Sequence, residues 1–330
     1  MAEALRIGVL GAGHLGRIHT QQLGELPEWE VVGVYDIDPD KRDAVCREFG
    51  VRAFADPEDL LEAVDAIDIV TPTTTHHGLA MRALAAGRHV FIEKPVTTTL
   101  AEARELIAMA DRTGMLVQVG HVERFNPAFQ AALPYLKDPM FIEGHRLAQF
   151  NPRGTDVSVV LDLMIHDIDL VLRATGQPLE SVSASGVAVV SDTPDIANAR
   201  FTFANGCVAN LTASRISLKN MRKCRFFQRD AYIAVDMLER STEIVTMRDA
   251  GPGEDPFALT IDLGAGKGKR AISFDRPEIP AINAIREELR SFAQAVRGHA
   301  PVAVDLRAAA SALDAAHQVL AEMERHTKGH

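Results

Sequence analysis

The sequence predicts an α/β chain in two parts, an N-terminal doubly wound parallel sheet and a C-terminal α+β domain with an open, mostly antiparallel sheet. Three observations predict it. Over residues 1–121 short apolar runs alternate with helix-like segments, the pattern of parallel strands joined by crossover helices. After residue 121 the rhythm changes to alternating runs separated by turn signals, as hairpins require. The chain has 330 residues, more than one compact core usually holds. The domains are therefore placed at 1–121 and 122–330.

In the first half, Leu5–Leu10 is an apolar run ending in glycines, and His14–Leu23 follows as a helix. Val31–Tyr35 is a second strand, ending at Asp36. Asp38-Pro39-Asp40 opens the next helix, with Asp38 as N-cap and Pro39 at the first position. Ala66–Val70 is a third strand, ending at Thr71-Pro72, and Thr75–Ala86 is a helix closed by Gly87. His89–Ile92 ends at Glu93-Lys94-Pro95; Thr99–Arg112 is a helix stopped at Gly114; Met115–Val119 runs into Gly120. In the second half a helix is expected over Ser158–Arg173. Strands are expected at Ser181–Val190, Ala197–Phe203, Gly206–Ser214, Lys223–Gln228, Ala231–Met237 and Glu243–Met247. Asp249–Gly268, with Gly and Pro throughout, reads as a loop. Ala281–Arg297 and Leu306–Met323 are the last helices, the latter with Leu306, Leu313 and Leu320 on one stripe.

Composition narrows the function. Hydrophobic residues are 47% and charged residues 24%, which excludes a long disordered or collagen-like chain. The net charge of −10 gives a field that repels nucleic acid and anionic membranes. No apolar run approaches the ~20 residues that span a bilayer. The start lacks the pattern of a signal peptide, and Cys46, Cys207 and Cys224 are far apart and odd in number. A cytoplasmic protein is the expectation.

Gly11-Ala-Gly13-His14-Leu15-Gly16 is a G-x-G-x-x-G between the first strand and the first helix. The first glycine permits the turn, the second lets a pyrophosphate approach, and the third lets helix and strand pack closely. The helix N-terminus adds N–H groups and positive partial charge. Asp36 ends the second strand, where a carboxylate accepts from a ribose 2′-hydroxyl and repels a 2′-phosphate. NAD is therefore favoured, while Lys41 and Arg42 nearby keep NADP open. The other strand ends that face the expected crevice carry Thr71, Glu93, Lys94, Gly120 and His121.

Lys94 stands where an ammonium can stabilise the alkoxide that develops as hydride leaves a carbinol carbon. Taken alone it reads better as a surface turn lysine, and the second helix supplies its partner. In the second half Ser158, Asp162, His166, Asp169 and Arg173 form one polar stripe on a regular helix. A solvated face explains such a stripe, and so does a general base (His166) oriented by a carboxylate (Asp162). The histidines His76, His77, His121 and His166 match no strong metal-ligand spacing, so no metal is expected.

Together the Gly11–Gly16 loop, Thr71-Pro72 with His76, Glu93-Lys94-Pro95 and Asp162-x-x-x-His166 resemble the Gfo/Idh/MocA oxidoreductases over nearly the whole chain. The resemblance implies a Rossmann domain, then a domain whose open sheet often forms a homo-oligomer interface. It maps Lys94, Asp162 and His166 onto the catalytic lysine, aspartate and histidine. It implies that Gly11, Gly13, His14, Leu15, Gly16, Asp36, Thr71, Pro72, Thr73, His76, Glu93 and Lys94 contact the cofactor; Thr73 stands where asparagine is commoner. Three stretches, 120–127, 156–169 and 215–232, look like one branch, the UDP-N-acetylglucosamine 3-dehydrogenases that feed 3-amino sugar synthesis for lipid A. On that resemblance His121, Arg124, Asn126, Arg153, Asp156, His166 and Asp169 are expected at the substrate.

A diphosphate substrate needs local cations in an acidic protein. Arg124, Arg153, Arg215, Lys219, Arg222, Lys223 and Arg225 are candidates, and a strand with one solvated basic face, or a sheet face used in oligomer contacts, explains 219–229 equally well. The expected activity is NAD-dependent oxidation of the C3 hydroxyl of a UDP-N-acetylhexosamine. The alternatives are a free polyol or sugar dehydrogenase of the inositol type, and a non-catalytic dinucleotide-binding regulator, which the intact lysine and histidine motifs disfavour. A bilin reductase-like role has no use for so polar a stripe, and RNA binding suggested by Phe226 and Phe227 is opposed by the net charge.

Overall fold

The structure is a computed structural model that describes residues 3–151, 157–250, 259–264 and 268–328. Arg153 and Asp156, expected at the substrate, lie outside the described residues.

The N-terminal elements run β1 (Leu5–Leu10), α1 (His14–Gly24), β2 (Trp29–Tyr35), α2 (Pro39–Phe49), β3 (Arg52–Phe54), α3 (Pro57–Ala63), β4 (Ala66–Ile69), α4 (Thr73–Ala85), β5 (His89–Glu93), α5 (Leu100–Thr113) and β6 (Val117–Gly120). The strands form one parallel six-stranded sheet in the order β3-β2-β1-β4-β5-β6. The order reverses beside β1, the switch point at which such sheets open a ligand crevice. Local chemistry sets the helix starts. Asp38 caps α2 by accepting from the N–H groups of Asp40 and Lys41, Asp56 caps α3, and Thr99 with Glu102 forms a capping box on α5. The edge strand β3 and the helix α3 were absent from the sequence reading.

The remaining elements are α6 (Pro127–Ala132), β7 (Phe141–Leu147), a π-helical turn over Val160–Met164, α7 (Ile165–Thr175), β8 (Leu179–Val187), β9 (Ile196–Phe203), β10 (Val208–Ser214), β11 (Met221–Phe227), β12 (Ala231–Asp236), β13 (Ser241–Asp249), β14 (Thr260–Asp262), β15 (Lys269–Asp275), α8 (Ala284–Val296) and α9 (Leu306–Lys328). Nine strands form the second sheet, β14-β15-β13-β12-β11-β7-β10-β9-β8, antiparallel except where β10 meets β7. The segment 249–268, expected as a loop, contains β14. The expected regular helix at 158–173 instead begins with the π turn, which changes the angular spacing of Asp162 relative to His166.

The chain divides into two compact units, 1–125 with 282–314 and 126–281 with 315–330. These units differ from the expected 1–121 and 122–330 chiefly in returning 282–314 to the first. The reason is burial: Phe292 of α8 packs on Trp29 and Phe91, ring centroids 5.5 and 5.8 Å away, and Leu289 and Ala293 join Ile7, Val9 and Val34 in one core. Trp29 Nε1 donates to Leu289 O at 2.9 Å, so the indole is satisfied inside that core.

Candidate active site

The loop between β1 and α1 has the geometry a dinucleotide needs. Gly11 sits at φ 110°, where a Cβ would press on the backbone of Val70. A Cβ on Gly16 would fall onto the carbonyl of Gly11, so only glycine lets α1 start there. Around Gly13 nothing lies within 4 Å of an added Cβ, so this side of the loop is open. No side chain caps the N-terminus of α1, and Gly13, His14 and Leu15 are exposed. These features fit a pyrophosphate resting on the helix end.

Asp36 closes the loop from the next strand. Its carboxylate accepts from Ala12 N–H at 2.6 Å and from Asp38 N–H at 2.8 Å. The nearby cations are engaged with other acids: Lys41 pairs with Asp38 at 3.0 Å and Arg42 with Asp43 at 2.8 Å.

Two further strand ends are tied together by His76. The ring is buried, with Nδ1 3.0 Å from Pro95 O and Nε2 2.8 Å from Thr71 O. It thereby links the Thr71-Pro72 turn, with Thr73 behind it in α4, to the Lys94-Pro95 turn. The Lys94–Pro95 peptide is cis. Lys94 is half-buried at the end of β5. Its N–H donates to Glu93 Oε2 at 3.1 Å, while Glu93 Oε1 lies 3.3 Å from His19 Nε2. Gly120 leaves room for that carboxylate, since a Cβ there would approach Glu93 Oε1 to 2.8 Å.

Behind the turn is a buried polar group that the sequence reading missed. His19 Nδ1 faces Asp68 Oδ2 at 2.9 Å, both fully buried. Burial alone would strip the imidazole of its extra proton, but Asp68 and Glu93 outweigh it and push the pKa well above the ordinary value. The available signals were a histidine in the middle of α1 and an aspartate in the otherwise apolar β4.

His121, Arg124 and Asn126 follow β6 and are buried. Arg124 Nη1 donates to Ala303 O at 3.3 Å. Asn126 caps α6 by accepting from Ala128 N–H at 3.1 Å and donates to Met237 O at 3.1 Å. Asn126 thus has a structural task beside the substrate contact expected of it.

In the second unit Asp162 lies in the π turn and His166 in the first turn of α7, both half-buried, with Asp169 buried and Arg173 exposed. π turns are frequent at functional sites. Asp167, adjacent to His166, pairs with buried Arg146. Sequence reasoning missed this pair, which holds α7 on β7. The basic candidates fall differently. Lys223 and Arg225 pair with Asp236 and Glu143 on one sheet face, at 3.0 and 2.9 Å, and buried Arg215 donates to Val157 O at 2.6 Å. The sheet-face reading of 219–229 therefore describes Lys223 and Arg225.

Comparison with known proteins follows the same division. Residues 5–121 match the family described as "Oxidoreductase family, NAD-binding Rossmann fold", and residues 129–233 match the "GFO/IDH/MocA C-terminal domain". The chain is 38% identical to UDP-N-acetylglucosamine 3-dehydrogenase from Acidithiobacillus ferrooxidans, over 97% of this chain and 97% of that protein. A solved structure of that enzyme matches with a TM-score of 0.88 at 37% identity, covering 98% of this chain and 99% of that one. The scyllo-inositol 2-dehydrogenase (NAD(+)) of Bacillus subtilis is 32% identical over 56% of this chain and 58% of its own.

Proposed function

Because the chain belongs to the Gfo/Idh/MocA oxidoreductase family, we propose that it oxidises the C3 hydroxyl of UDP-N-acetylglucosamine to the 3-keto sugar with NAD as oxidant. The observation that carries this reading is the end-to-end similarity to the A. ferrooxidans dehydrogenase, in sequence and in structure; the B. subtilis scyllo-inositol 2-dehydrogenase is 32% identical over 56% of this chain, and the myo-inositol 2-dehydrogenase of Thermotoga maritima, matched over 91% of it, is only 24% identical.

NAD, when bound, supplies nicotinamide C4 as the hydride acceptor. Gly11, Gly13, Gly16 and the N-terminus of α1 hold its pyrophosphate, and Asp36 accepts from the adenosine ribose. The choice of NAD over NADP rests on that carboxylate and on the engagement of Lys41 and Arg42 with Asp38 and Asp43. His166 takes the proton of the C3 hydroxyl, with Asp162 orienting the ring. The C3–H electron pair leaves as hydride, and the Lys94 ammonium stabilises the negative charge building on oxygen. The products are the ketone, the reduced cofactor and one proton on His166. His121, Arg124 and Asp169 complete the sugar site.

A 3-keto sugar nucleotide is what an aminotransferase requires, which suits a place in 3-amino sugar synthesis for lipid A in the cytoplasm. The second sheet suits a homo-oligomer. Phe227, Tyr232, Val245 and Phe274 are register partners on neighbouring strands β11, β12, β13 and β15, and Phe274 is 68% exposed. Such an apolar row is suited to covering by a second copy.

The test is NADH absorbance with UDP-N-acetylglucosamine against myo-inositol. Reduction with the nucleotide sugar and little with inositol is expected; the reverse pattern would replace this substrate with a free polyol. Reduction with neither, alongside normal NAD binding, would favour a dinucleotide-binding regulator.

A further inference from the structure

Four ionisable side chains meet in the buried interior of the first unit. His19 comes from α1, Asp68 from β4, Glu93 from β5 and Glu288 from α8, and none is more than 8% exposed. One polar atom each of His19, Glu93 and Glu288 lies within 4.8 Å of the others. His19 has Asp68 hydrogen-bonded to one nitrogen, and its other nitrogen, which makes no hydrogen bond among the described residues, lies in ion-pair range of Glu93 at 3.3 Å. Glu93 has His19 at one oxygen and the Lys94 N–H at the other. Glu288 is fully buried, and among the described residues neither of its oxygens has a hydrogen-bond partner.

If all four groups were charged, three carboxylates would share one imidazolium in the buried interior. An ionised Glu288 would stand unpaired beside Glu93, the costly case of a buried lone charge next to a like one. A proton on one carboxylate removes the imbalance, and Glu288 is the carboxylate that no donor stabilises. We propose that Glu288 is held in the folded protein as a neutral carboxylic acid, and that it is a positioning residue for Lys94. The neutral acid spares Glu93 the repulsion that would pull it off His19 and off the Lys94 N–H. Burial first, then Glu93, push the Glu288 pKa well above the ordinary value, in the same direction. The groups facing Glu288 from the packed elements are His19, Asp68, Glu93 and Glu123. They are common to wild type and to a Glu288 variant, so they largely drop out of a difference between the two.

The sign follows from linkage. A carboxyl that keeps its proton in the folded state destabilises folding progressively as pH rises above its unfolded value of about 4.3. E288Q, a neutral isostere, lacks this dependence. The experiment measures urea unfolding of the full chain from pH 5 to 9. The ratio of unfolding constants, wild type over E288Q, should rise by up to tenfold per pH unit until the folded pKa is reached. Difference infrared spectra should show a protonated-carboxyl C=O band in wild type at neutral pH that E288Q lacks. Parallel stability curves or absence of that band would overturn the proposal. So would a stoichiometric divalent metal in the purified wild type that E288Q fails to retain, because Glu288 would then be an anionic ligand.

The positioning role rests on the reaction proposed above and has its own readout. E288A should lower kcat tenfold or more at nearly unchanged NAD affinity, and E288Q should rescue it; wild-type kcat in E288A would remove the role. The stability and infrared measurements need no substrate. They judge the neutral acid whether or not the assigned reaction holds, and they stand if E288A does not fold.

Discussion

Arg146 on β7 and Asp167 on α7 form a fork-shaped ion pair, Nη2 to Oδ1 at 2.8 Å and Nε to Oδ2 at 3.1 Å, with each residue 3% exposed. Asp167 follows His166 directly, so this pair fixes the helix that carries the proposed base. Breaking it from one side takes the ion-pair partner from a buried charge. R146M and D167L should each lose about 3–5 kcal/mol of stability, and the double variant should recover much of that. Urea unfolding of the three variants checks this. Additive losses in the double variant would show that the two charges do not depend on each other.

The second and third glycines of the phosphate loop should separate folding from binding. G16A places a Cβ on the Gly11 carbonyl, so a lower Tm and loss of NAD binding are expected. Gly13 has φ −70° and open space around it, so G13A should keep the wild-type Tm. Its methyl would occupy the side on which a pyrophosphate approaches, and NAD affinity should fall roughly tenfold or more. Thermal melts with and without NAD test both. A G13A protein that binds NAD normally would mean that the cofactor lies elsewhere.

Where the sequence was readable, the determinants were local. The glycine spacing, Asp36 at a strand end and the Asp38-Pro39 cap each act within a few residues. The parallel first sheet followed from such signals in series. β7 escaped because its inward positions are Ile142, Gly144 and Arg146, so no apolar alternation shows in the sequence. β3 escaped because it has only three residues. The π turn at 160–164 escaped because a helical pattern carries no mark of one widened turn. Glu288 sits in Glu287-Glu288, which reads as the wet face of a helix, and only the return of α8 to the first unit buries it. The candidate site divides in the same way: the cofactor side was legible motif by motif, while the groups that brace it, His19, Asp68 and Glu288, are brought together by tertiary packing alone.

Asp36 should decide the cofactor. D36N keeps an acceptor for the Ala12 N–H and removes the charge. Hydrogen bonds to a charged group contribute about 1.5–3 kcal/mol, so kcat/KM for NAD should drop on the order of tenfold or more. NADP should gain in the same variant, because the repulsion of its 2′-phosphate is gone. Steady-state kinetics with both cofactors gives the answer; an unchanged NAD-to-NADP ratio would remove Asp36 from ribose recognition.

Lys94 and His166 should behave as catalytic groups. K94A and H166A are each expected to lower kcat by roughly 10²–10⁴ while NADH still binds. Turnover near wild type in both variants would end the catalytic assignment.

Asp195 offers a pH-dependent stability that is independent of the chemistry. It closes the connection between β8 and β9, accepting from Ser191 Oγ and from the N–H groups of Val189, Val190 and Ser191 at 2.7–3.1 Å. Burial disfavours its charge, but these donors prevail and hold the carboxyl well below the usual range. The folded pKa is therefore below the unfolded value of about 3.9. Its stabilisation is present in full above that value and is lost as pH falls through the folded pKa. D195N lacks the charge and should melt several degrees below wild type at pH 7. The gap should hold down to about pH 5 and close below about pH 4. A gap that stays constant to pH 3 would mean that the carboxylate is not selectively ionised in the folded state, and that the four donors recognise the shape of the side chain rather than its charge.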